Sequence, residues 1–451
     1  MGKRIGILYT LIALIFTTAS CSKDYIHGDG FTHAKDSNKE IPSRIETPER
    51  RNVLILYSAG YNSLSAYLNE DIKDLQEGWL PGPNRSDNIL LVYSHTTAKR
   101  GTYSVPNSPT LTRLWQDIDG NTVLDTLVRY PAETYSASSE QLHTVLSYVK
   151  ETFPANSYGM IFSSHATGYV PAGFYTDPSN YRYQEKTGAM YREGYRFHAP
   201  RPVPYVEPEY DPSLPAVKSI GQDQVGIPGN YMSYEIEIDD FANALPMQME
   251  YILFDACLMG GVEVAYEFKD RCKYIGFSQT EVLAEGFNYQ TLTTHLLGSR
   301  TPDPKAVCDD YFQQYDIKKD PLYRSATISM VDCSHLDQLA EVCKELFSKY
   351  NSQIKKLNYN LVQRYFRFSD HWFYDLEDIV AKAGATEDEL NELKAVLNNC
   401  IVYKAATPAF MQTFEIKTYC GLSMYLPSNG HVELDKYYRT LEWNKATSLV
   451  Q

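Results

Sequence analysis

The sequence has no excess of positive charge. Its 451 residues include 42 Lys and Arg residues against 56 Asp and Glu residues, which gives a formal net charge of −14. A protein that binds nucleic acid needs a basic surface to displace counterions from phosphates. The charge balance therefore argues against a nucleic-acid-binding function.

The chain also lacks internal repeats and low-complexity tracts. Hydrophobic residues make up 43% and charged residues 22% of it. These fractions are typical of globular proteins, and they exclude a disordered, collagen-like or multi-spanning membrane chain. The length allows two or three domains, or one large α/β domain with additions; the strand and helix pattern below favours the latter.

Cysteine motifs for metal or redox chemistry are missing. None of the eight cysteines forms a Cys-x-x-Cys pair, so a zinc ribbon or a dithiol redox site has no support. No Asp-x-Asp-x-Asp-Gly loop of the EF-hand type occurs either. We therefore predict no cofactor. The acidic balance would permit calcium, but no motif supports it.

The amino terminus has the layout of a secretory signal. Lys3 and Arg4 precede an apolar run that is too short to span a bilayer comfortably, and small residues follow it. We interpret residues 1–20 as a signal peptide and residues 21–50 as a polar tether. The ending Thr-Ala-Ser before Cys21 resembles a bacterial lipobox, which implies a lipidated Cys21 and an extracytoplasmic lipoprotein of the outer membrane or cell surface. The alternative is an ordinary secreted protein in which Cys21 is incidental.

Short apolar runs alternate with amphipathic helical patterns from residue 52 onwards. This alternation predicts an α/β fold with a mostly parallel central sheet and helices on both faces. The predicted strands are 52–58, 89–93, 123–129, 159–164, 251–254, 273–278, 326–331 and 420–427, and the predicted helices include 138–153, 236–245, 261–271, 302–315 and 336–350.

A long Tyr- and Pro-rich stretch, 174–232, separates two of the predicted central strands. Loops of this length inside a compact domain are usually functional or mobile, so we interpret it as an insertion over or beside the site. A passive decoration is the alternative.

His165 and Cys257 are the candidate chemical groups. Each follows an apolar run directly, and in a parallel sheet the carboxyl ends of neighbouring strands meet at one edge. A thiol beside an imidazole and near a helix N-terminus favours the reactive thiolate. The helix predicted to begin near Gly261 would supply this N-terminus. Taken singly, each residue is more often structural.

The segments around these residues resemble the clostripain family of cysteine peptidases, within the caspase- and gingipain-like group. The resemblance rests on Asp255-Ala256-Cys257 and its continuation to Glu267, and on the stretches 55–62, 274–281 and 421–427. It implies a caspase-like catalytic domain over 51–335 and a C-terminal helical and strand region, 336–451, packed on that domain.

The resemblance also implies roles for individual residues. Cys257 would be the nucleophile and His165 the acid/base, and the reaction would pass through an acyl-enzyme intermediate. Backbone N–H groups of Cys257 and Ala166 would hold the oxyanion. The family usually has Gly where this chain has Ala166, and Ala keeps the donor only if the local backbone has an ordinary φ.

Clostripain-like peptidases cut after Arg or Lys, so the resemblance implies an anion in the substrate pocket of this chain. Asp255 matches the family position and is the first candidate; Glu285 is the second. Family members are often activated by cutting themselves between the His and Cys segments. The insertion offers Arg196, Arg201 and Lys218 as possible sites, and the sequence does not choose among them.

Two rivals to the peptidase remain open. A catalytically silent member of the same fold could serve as a surface binding module, and Ala166 and the long insertion favour this reading. The second rival is a secreted carbohydrate-binding protein. Its only support is the many tyrosines, which could stack on sugars.

Overall fold

The computed structural model describes residues 51–84, 88–100, 103–186, 188–192, 194–204, 213–218, 223–227, 230–368 and 371–451. The predicted signal peptide, the tether and Cys21 lie outside these ranges.

The described chain forms twenty strands and eleven α-helices. The strands are β1 (Asn52–Ala59), β2 (Ile89–His95), β3 (Thr97–Arg100), β4 (Tyr103–Pro106), β5 (Thr110–Gln116), β6 (Thr122–Arg129), β7 (Ser157–Ser163), β8 (Ala189–Arg192), β9 (Tyr195–His198), β10 (Pro202–Pro204), β11 (Asp223–Ile227), β12 (Asn230–Tyr234), β13 (Met249–Asp255), β14 (Cys272–Phe277), β15 (Thr327–Asp332), β16 (Tyr374–Asp375), β17 (Ile401–Ala406), β18 (Ala409–Phe410), β19 (Phe414–Glu415) and β20 (Ser423–Met424). The helices are α1 (Ser65–Glu77), α2 (Ser139–Thr152), α3 (Ile238–Asn243), α4 (Val262–Glu267), α5 (Tyr289–Leu297), α6 (Pro304–Asp316), α7 (Leu336–Ile354), α8 (Leu376–Lys382), α9 (Glu387–Cys400), α10 (Val432–Tyr438) and α11 (Glu442–Thr447).

A nine-stranded mixed sheet, in the order β17-β15-β14-β13-β7-β1-β2-β5-β6, forms the centre of the molecule. Its five middle strands, from β14 to β2, are parallel, and two antiparallel strands extend it at each side. All eight residues of β1 are buried, because helices surround the sheet and a strand covered in this way can be apolar throughout. The predicted α/β class with a mostly parallel central sheet is confirmed.

Helix α1 buries one face, as the spacing of its residues predicts. It follows β1 and buries the side chains of Ser65, Leu68, Asp71 and Leu75, which lie three or four positions apart. That spacing places them on one face of a helix. An aspartate therefore occupies a position on the apolar stripe, and it becomes important for the site below.

Some predicted elements are shorter in the structure. The helix expected over 261–271 is limited to α4, and the strand expected over 420–427 is limited to β20, which pairs with β16. The backbone around β20 is held by other contacts: the N–H of Cys420 donates to the Asp375 carboxylate at 2.7 Å, and the N–H of Ser423 donates to the Gly260 carbonyl at 2.8 Å. These bonds replace a regular ladder.

The inserted stretch leaves the sheet after β7, and the chain returns through β13, the strand that pairs with β7. Within the insertion, β8 pairs with β9, and β12 lies between β10 and β11. The C-terminal region does more than pack on the sheet, because its strand β17 forms one edge of it.

The seven cysteines of the described ranges are buried and are not joined in disulfides. A buried thiol commonly packs as a small apolar side chain. Among the described helices, none combines the length and the apolar character that a bilayer crossing requires.

Candidate active site

Strands β7 and β13 bring His165 and Cys257 to the same edge of the sheet. They are parallel neighbours in a register that pairs Ser163 with Asp255. His165 and Cys257 each follow two residues after this pair. The two side chains therefore leave adjacent strands at the same level, as the sequence predicts.

The imidazole of His165 is neutral in this structure. Its Nε2 atom lies 2.9 Å from the Ser63 hydroxyl oxygen, and the residue is 5% exposed. Burial lowers the pKa of His165 to about 3, against a smaller rise from its hydrogen bond with the Lys218 backbone, and the positive charge of Lys218 lowers it further. The ring is therefore not an imidazolium that could form an ion pair with a thiolate.

The thiol of Cys257 is fully buried against the loop that follows β14. Its Sγ atom accepts the backbone N–H of Val282 at 2.9 Å and lies 3.6 Å from the carbonyl oxygen of the same residue. The next residue, Leu258, has a φ of 61°, a conformation that is uncommon outside glycine and concentrates at functional turns. Gly168 allows this turn, because a Cβ there would lie 2.5 Å from the Leu258 carbonyl oxygen.

The chain's own insertion pairs with the loop that contacts this thiol, and we call its residues 216–218 the covering strand. Residues 216–218 run antiparallel to 282–284, with Val217 opposite Leu283. The N–H of Lys218 donates to the Val282 carbonyl at 2.9 Å, and the N–H of Ala284 donates to the Ala216 carbonyl at 2.8 Å. The insertion therefore lies along the active-site loop as an added strand, the way that extended peptides bind exposed strand edges.

The predicted oxyanion donor contacts this covering strand. The backbone N–H of Ala166 donates to the carbonyl oxygen of Lys218 at 3.3 Å. Within the described chain the non-glycine residues with positive φ are Leu258, Met411, Gln412 and Ser448, so Ala166 has an ordinary backbone conformation. Alanine in place of glycine is therefore compatible with this donor.

The side chain of Lys218 fills a buried acidic pocket. Its Nζ atom contacts Asp255 Oδ2 and lies 3.1 Å from Ser163 Oγ and 3.3 Å from Asp71 Oδ2. Asp255 also accepts hydrogen bonds from Ser163 Oγ at 3.0 Å and from the Tyr289 hydroxyl at 2.6 Å. The side chains of Lys218 and Asp255 are both fully buried.

The ammonium of Lys218 stays charged in this pocket. Burial alone would lower its pKa, but the carboxylates of Asp255 and Asp71 raise it above its ordinary value. Burial raises the pKa of Asp71 to about 7, although the charge of Lys218 opposes the rise. A buried pair of this kind is stable only while both partners are present.

Other predicted residues lie apart from this pocket. The Glu285 carboxylate is 54% exposed and lies 3.3 Å from Lys318 Nζ, so the second candidate for the substrate pocket is not part of it. The loop position after it, Gly286, lines the pocket instead. Arg196 is exposed on β9, and the side chain of Arg201 is 45% exposed and lies near Glu237.

Sequence reasoning missed several residues of the site, among them Asp71, Tyr289 and Ser63. Asp71 had a detectable signal, because it is an acid on the buried stripe of α1. Ser63 lies in the turn between β1 and α1, and Tyr289 begins α5; neither position carries a pattern that distinguishes it from an ordinary loop or core residue.

A second acidic group lies in the insertion and its flank. Glu237, Asp239 and Asp240 bring carboxylate oxygens within 4.8 Å of one another, a spacing that could hold a metal ion. The ammonium of Lys186 already lies among them, at 2.7 Å from Glu237 and 2.9 Å from Asp240. These carboxylates raise the pKa of Lys186 above its ordinary value, against the lowering effect of burial, so a cation is already present there.

Comparisons with known proteins find relatives for most of this chain. The model of the clostripain family matches residues 56–182 and 208–449. The chain is 21% identical to clostripain of Hathewaya histolytica in an alignment of 497 positions that covers 95% of this chain and 85% of that protein. Its fold is similar to an inactive zymogen of a C11 protease from Parabacteroides distasonis, with 27% identity, a TM-score of 0.66, and coverage of 89% of this chain and 99% of that one. It is also similar to iotapain, a secreted C11 cysteine protease of Bacteroides thetaiotaomicron, with 24% identity, a TM-score of 0.65, and coverage of 89% and 100%.

Proposed function

Because the chain belongs to the clostripain family of cysteine peptidases, we propose that it is an endopeptidase that cleaves after Lys or Arg through Cys257 and His165. One observation carries this proposal. A basic side chain of the protein lies on Asp255 while its own carbonyl accepts the Ala166 N–H. A substrate bound in the same way would present its side chain to the acid and its carbonyl to the oxyanion donor.

The proposed reaction needs only groups of this chain. Cys257 Sγ attacks the carbonyl carbon of the basic residue, and His165 transfers the thiol proton to the leaving amine. The N–H groups of Ala166 and Cys257 hold the oxyanion of the tetrahedral intermediate. Water then hydrolyses the thioester, with His165 as the base. A neutral imidazole is the form that can accept the thiol proton, and burial keeps His165 in this form in the closed state.

We propose that the closed state is a latent form and that cleavage between Lys218 and Ser219 opens it. Of the three basic residues considered in the insertion, Lys218 has the side chain that contacts Asp255 and the carbonyl that contacts Ala166. Arg196 and Arg201 are exposed. After the cut, the covering strand is no longer held from both sides and can leave the active-site loop.

The function is tested with fluorogenic peptides that end in Arg or Lys, and with a Cys257→Ala variant as the negative control. We expect turnover by the wild-type protein and none by the variant. Asp255→Asn should weaken cleavage far more than it weakens alkylation of the Cys257 thiol, since it removes the anion that holds the substrate side chain. Glu285→Gln is the matched control and should change neither. Equal rates for wild type and Cys257→Ala would refute the proposal.

The rival function is a catalytically inactive surface binding module. Its main support was the alanine at position 166, and that support weakens because the Ala166 N–H makes the contact expected of an oxyanion donor. The two functions differ in the peptide assay above: the binding module predicts no Cys257-dependent turnover after any activation treatment.

We also propose that a lipidated Cys21 anchors the protein at the outer membrane or cell surface. The support is the lipobox-like sequence alone. Cys21→Ser should move the protein from the membrane fraction to the soluble fraction, and unchanged partitioning would contradict the proposal. For the acidic group around Lys186, we propose a role in holding the insertion and no role in binding calcium or another metal.

A further inference from the structure

We propose that the substrate pocket selects Lys over Arg, and that Asp71 is its second specificity-determining carboxylate. This inference rests on the proposed function, because it concerns the side chain that precedes the cleaved bond. It assigns a role to Asp71 that neither the sequence pattern nor the family resemblance suggests.

The pocket acceptors converge on one point. Asp255 Oδ2, Ser163 Oγ and Asp71 Oδ2 come from three different segments of the chain, and all lie within 3.3 Å of a single atom, Lys218 Nζ. An ammonium group has three N–H donors on one nitrogen and matches three converging acceptors. A guanidinium distributes five donors over a planar fork and matches two parallel acceptors instead.

The backbone of Gly286 blocks the edge of the Asp255 carboxylate where a guanidinium would make a bidentate contact. A Cβ built on Gly286 would lie 2.5 Å from Asp255 Oδ2, 2.7 Å from Oδ1 and 2.6 Å from Lys218 Nζ. That point is where a second nitrogen could reach both carboxylate oxygens, and it lies one bond length from the Gly286 Cα. A bidentate arginine contact would therefore collide with the backbone of Gly286.

Hydrogen bonds hold the backbone of Gly286 in place at this side of the pocket. Its N–H donates to the Leu283 carbonyl at 2.9 Å, and its carbonyl accepts the Tyr315 hydroxyl at 2.9 Å and Gln314 Nε2 at 2.6 Å. Its φ of 64° favours glycine. Because the arginine side chain is one bond longer than lysine from Cα to its terminal nitrogen, it would have to displace this anchored turn.

The first experiment compares paired peptides that differ only in Lys or Arg before the cleaved bond, with the wild-type protein after its activation. We expect kcat/KM to favour Lys by at least about tenfold, the scale on which a misfitting group is rejected. Asp71→Asn should lower kcat/KM for the Lys peptide at least about tenfold, since it removes a charge-assisted contact, and should narrow the Lys to Arg ratio.

Asp74→Asn is the matched control, because Asp74 lies on the same helix and contacts Gln290 at 3.1 Å, outside the pocket. It should leave both rates within about twofold. Equal cleavage of Arg and Lys peptides through Cys257 would refute the selectivity and leave the proposed function intact. Equal losses in Asp71→Asn for both peptides would refute the role of Asp71. A protein with no Cys257-dependent cleavage would refute both the selectivity and the proposed function.

The second experiment does not depend on catalysis. In the Cys257→Ala background, the added change Lys218→Arg places a guanidinium in the pocket of the uncut chain. We expect amide hydrogen exchange at residue 218 and at Ala284, whose N–H groups bond across this pairing, to become at least about tenfold faster, because the covering strand fits less well. The change Arg201→Lys, at an exposed position of the same insertion, should leave it unchanged. Equal protection of these amides with and without the Lys218→Arg change would overturn the inference.

Discussion

The backbone N–H of Ala166 donates a hydrogen bond to the carbonyl oxygen of Lys218 at 3.3 Å. The carbonyl belongs to the residue whose ammonium contacts Asp255, so one lysine engages both the proposed oxyanion donor and the acidic pocket. The protein thus holds a segment of itself across both groups, on the loop that also contacts the Cys257 thiol. The predictions below follow from that arrangement.

Lys218, bound in the acidic pocket, should control the access of alkylating reagents to the Cys257 thiol. Lys218→Ala would leave Asp255 and Asp71 buried without their cation, and removing one partner of a buried ion pair costs about 3–5 kcal/mol. The covering strand should undock, and alkylation of Cys257 by iodoacetamide, followed by peptide mass spectrometry, should accelerate at least about tenfold. Arg201→Ala, in the same insertion, is the control. Unchanged labelling in Lys218→Ala would show that the strand does not guard the thiol.

The donor at position 166 should be a backbone group and not a side chain. Ala166→Pro removes the N–H, and loss of one oxyanion donor lowers kcat about 10²–10³-fold. Ala166→Gly keeps the N–H and should hold kcat/KM within about fivefold, since glycine in ordered backbone costs only about 0.5–1 kcal/mol. Steady-state kinetics of both variants checks this. Similar losses in the Pro and Gly variants would contradict the assignment.

The neutral state of His165 should appear in the pH dependence of stability. Its pKa is about 3 when folded, below the ordinary value of 6.5, so the unfolded chain binds the proton more readily. The histidine therefore contributes stability above about pH 6.5 that is lost as the pH falls towards 3.

Urea denaturation from pH 7 to pH 5 measures this contribution. We expect the Cys257→Ala chain to lose about 1.4 kcal/mol per pH unit below pH 6.5 relative to the same chain with His165→Gln. Asp71 and Glu263, whose pKa values burial raises to about 7, act in the opposite direction but are present in both proteins. Parallel pH curves for the two proteins would contradict the buried neutral imidazole.

The fold and the placement of His165 and Cys257 at one edge of the sheet could be predicted because they depend on local patterns. Wholly apolar strands followed by amphipathic helices specify the parallel centre of the sheet, and the register of β7 with β13 then sets His165 beside Cys257. Element ends were less predictable, as in the region of β20, where side-chain contacts such as Asp375 with Cys420 determine the backbone path.

The pocket could be predicted only in part. Asp255 was identified through its family motif, whereas Asp71, 184 residues before it, reaches the pocket through the packing of α1. Lys218 was one of three basic residues considered as cleavage sites in a stretch without periodicity. Only the pairing of 216–218 with 282–284 distinguishes it, and no local pattern encodes that pairing. Such long-range contacts follow from the assembled fold.

The intact mass of the purified protein tests the central claim most directly. After incubation, the wild-type chain should be found as two pieces that separate between Lys218 and Ser219, because Cys257 attacks the carbonyl held by Ala166. The Cys257→Ala chain, prepared and incubated in the same way, should keep its full mass. A wild-type chain that stays whole, or a variant that is cut at the same bond, would contradict the account.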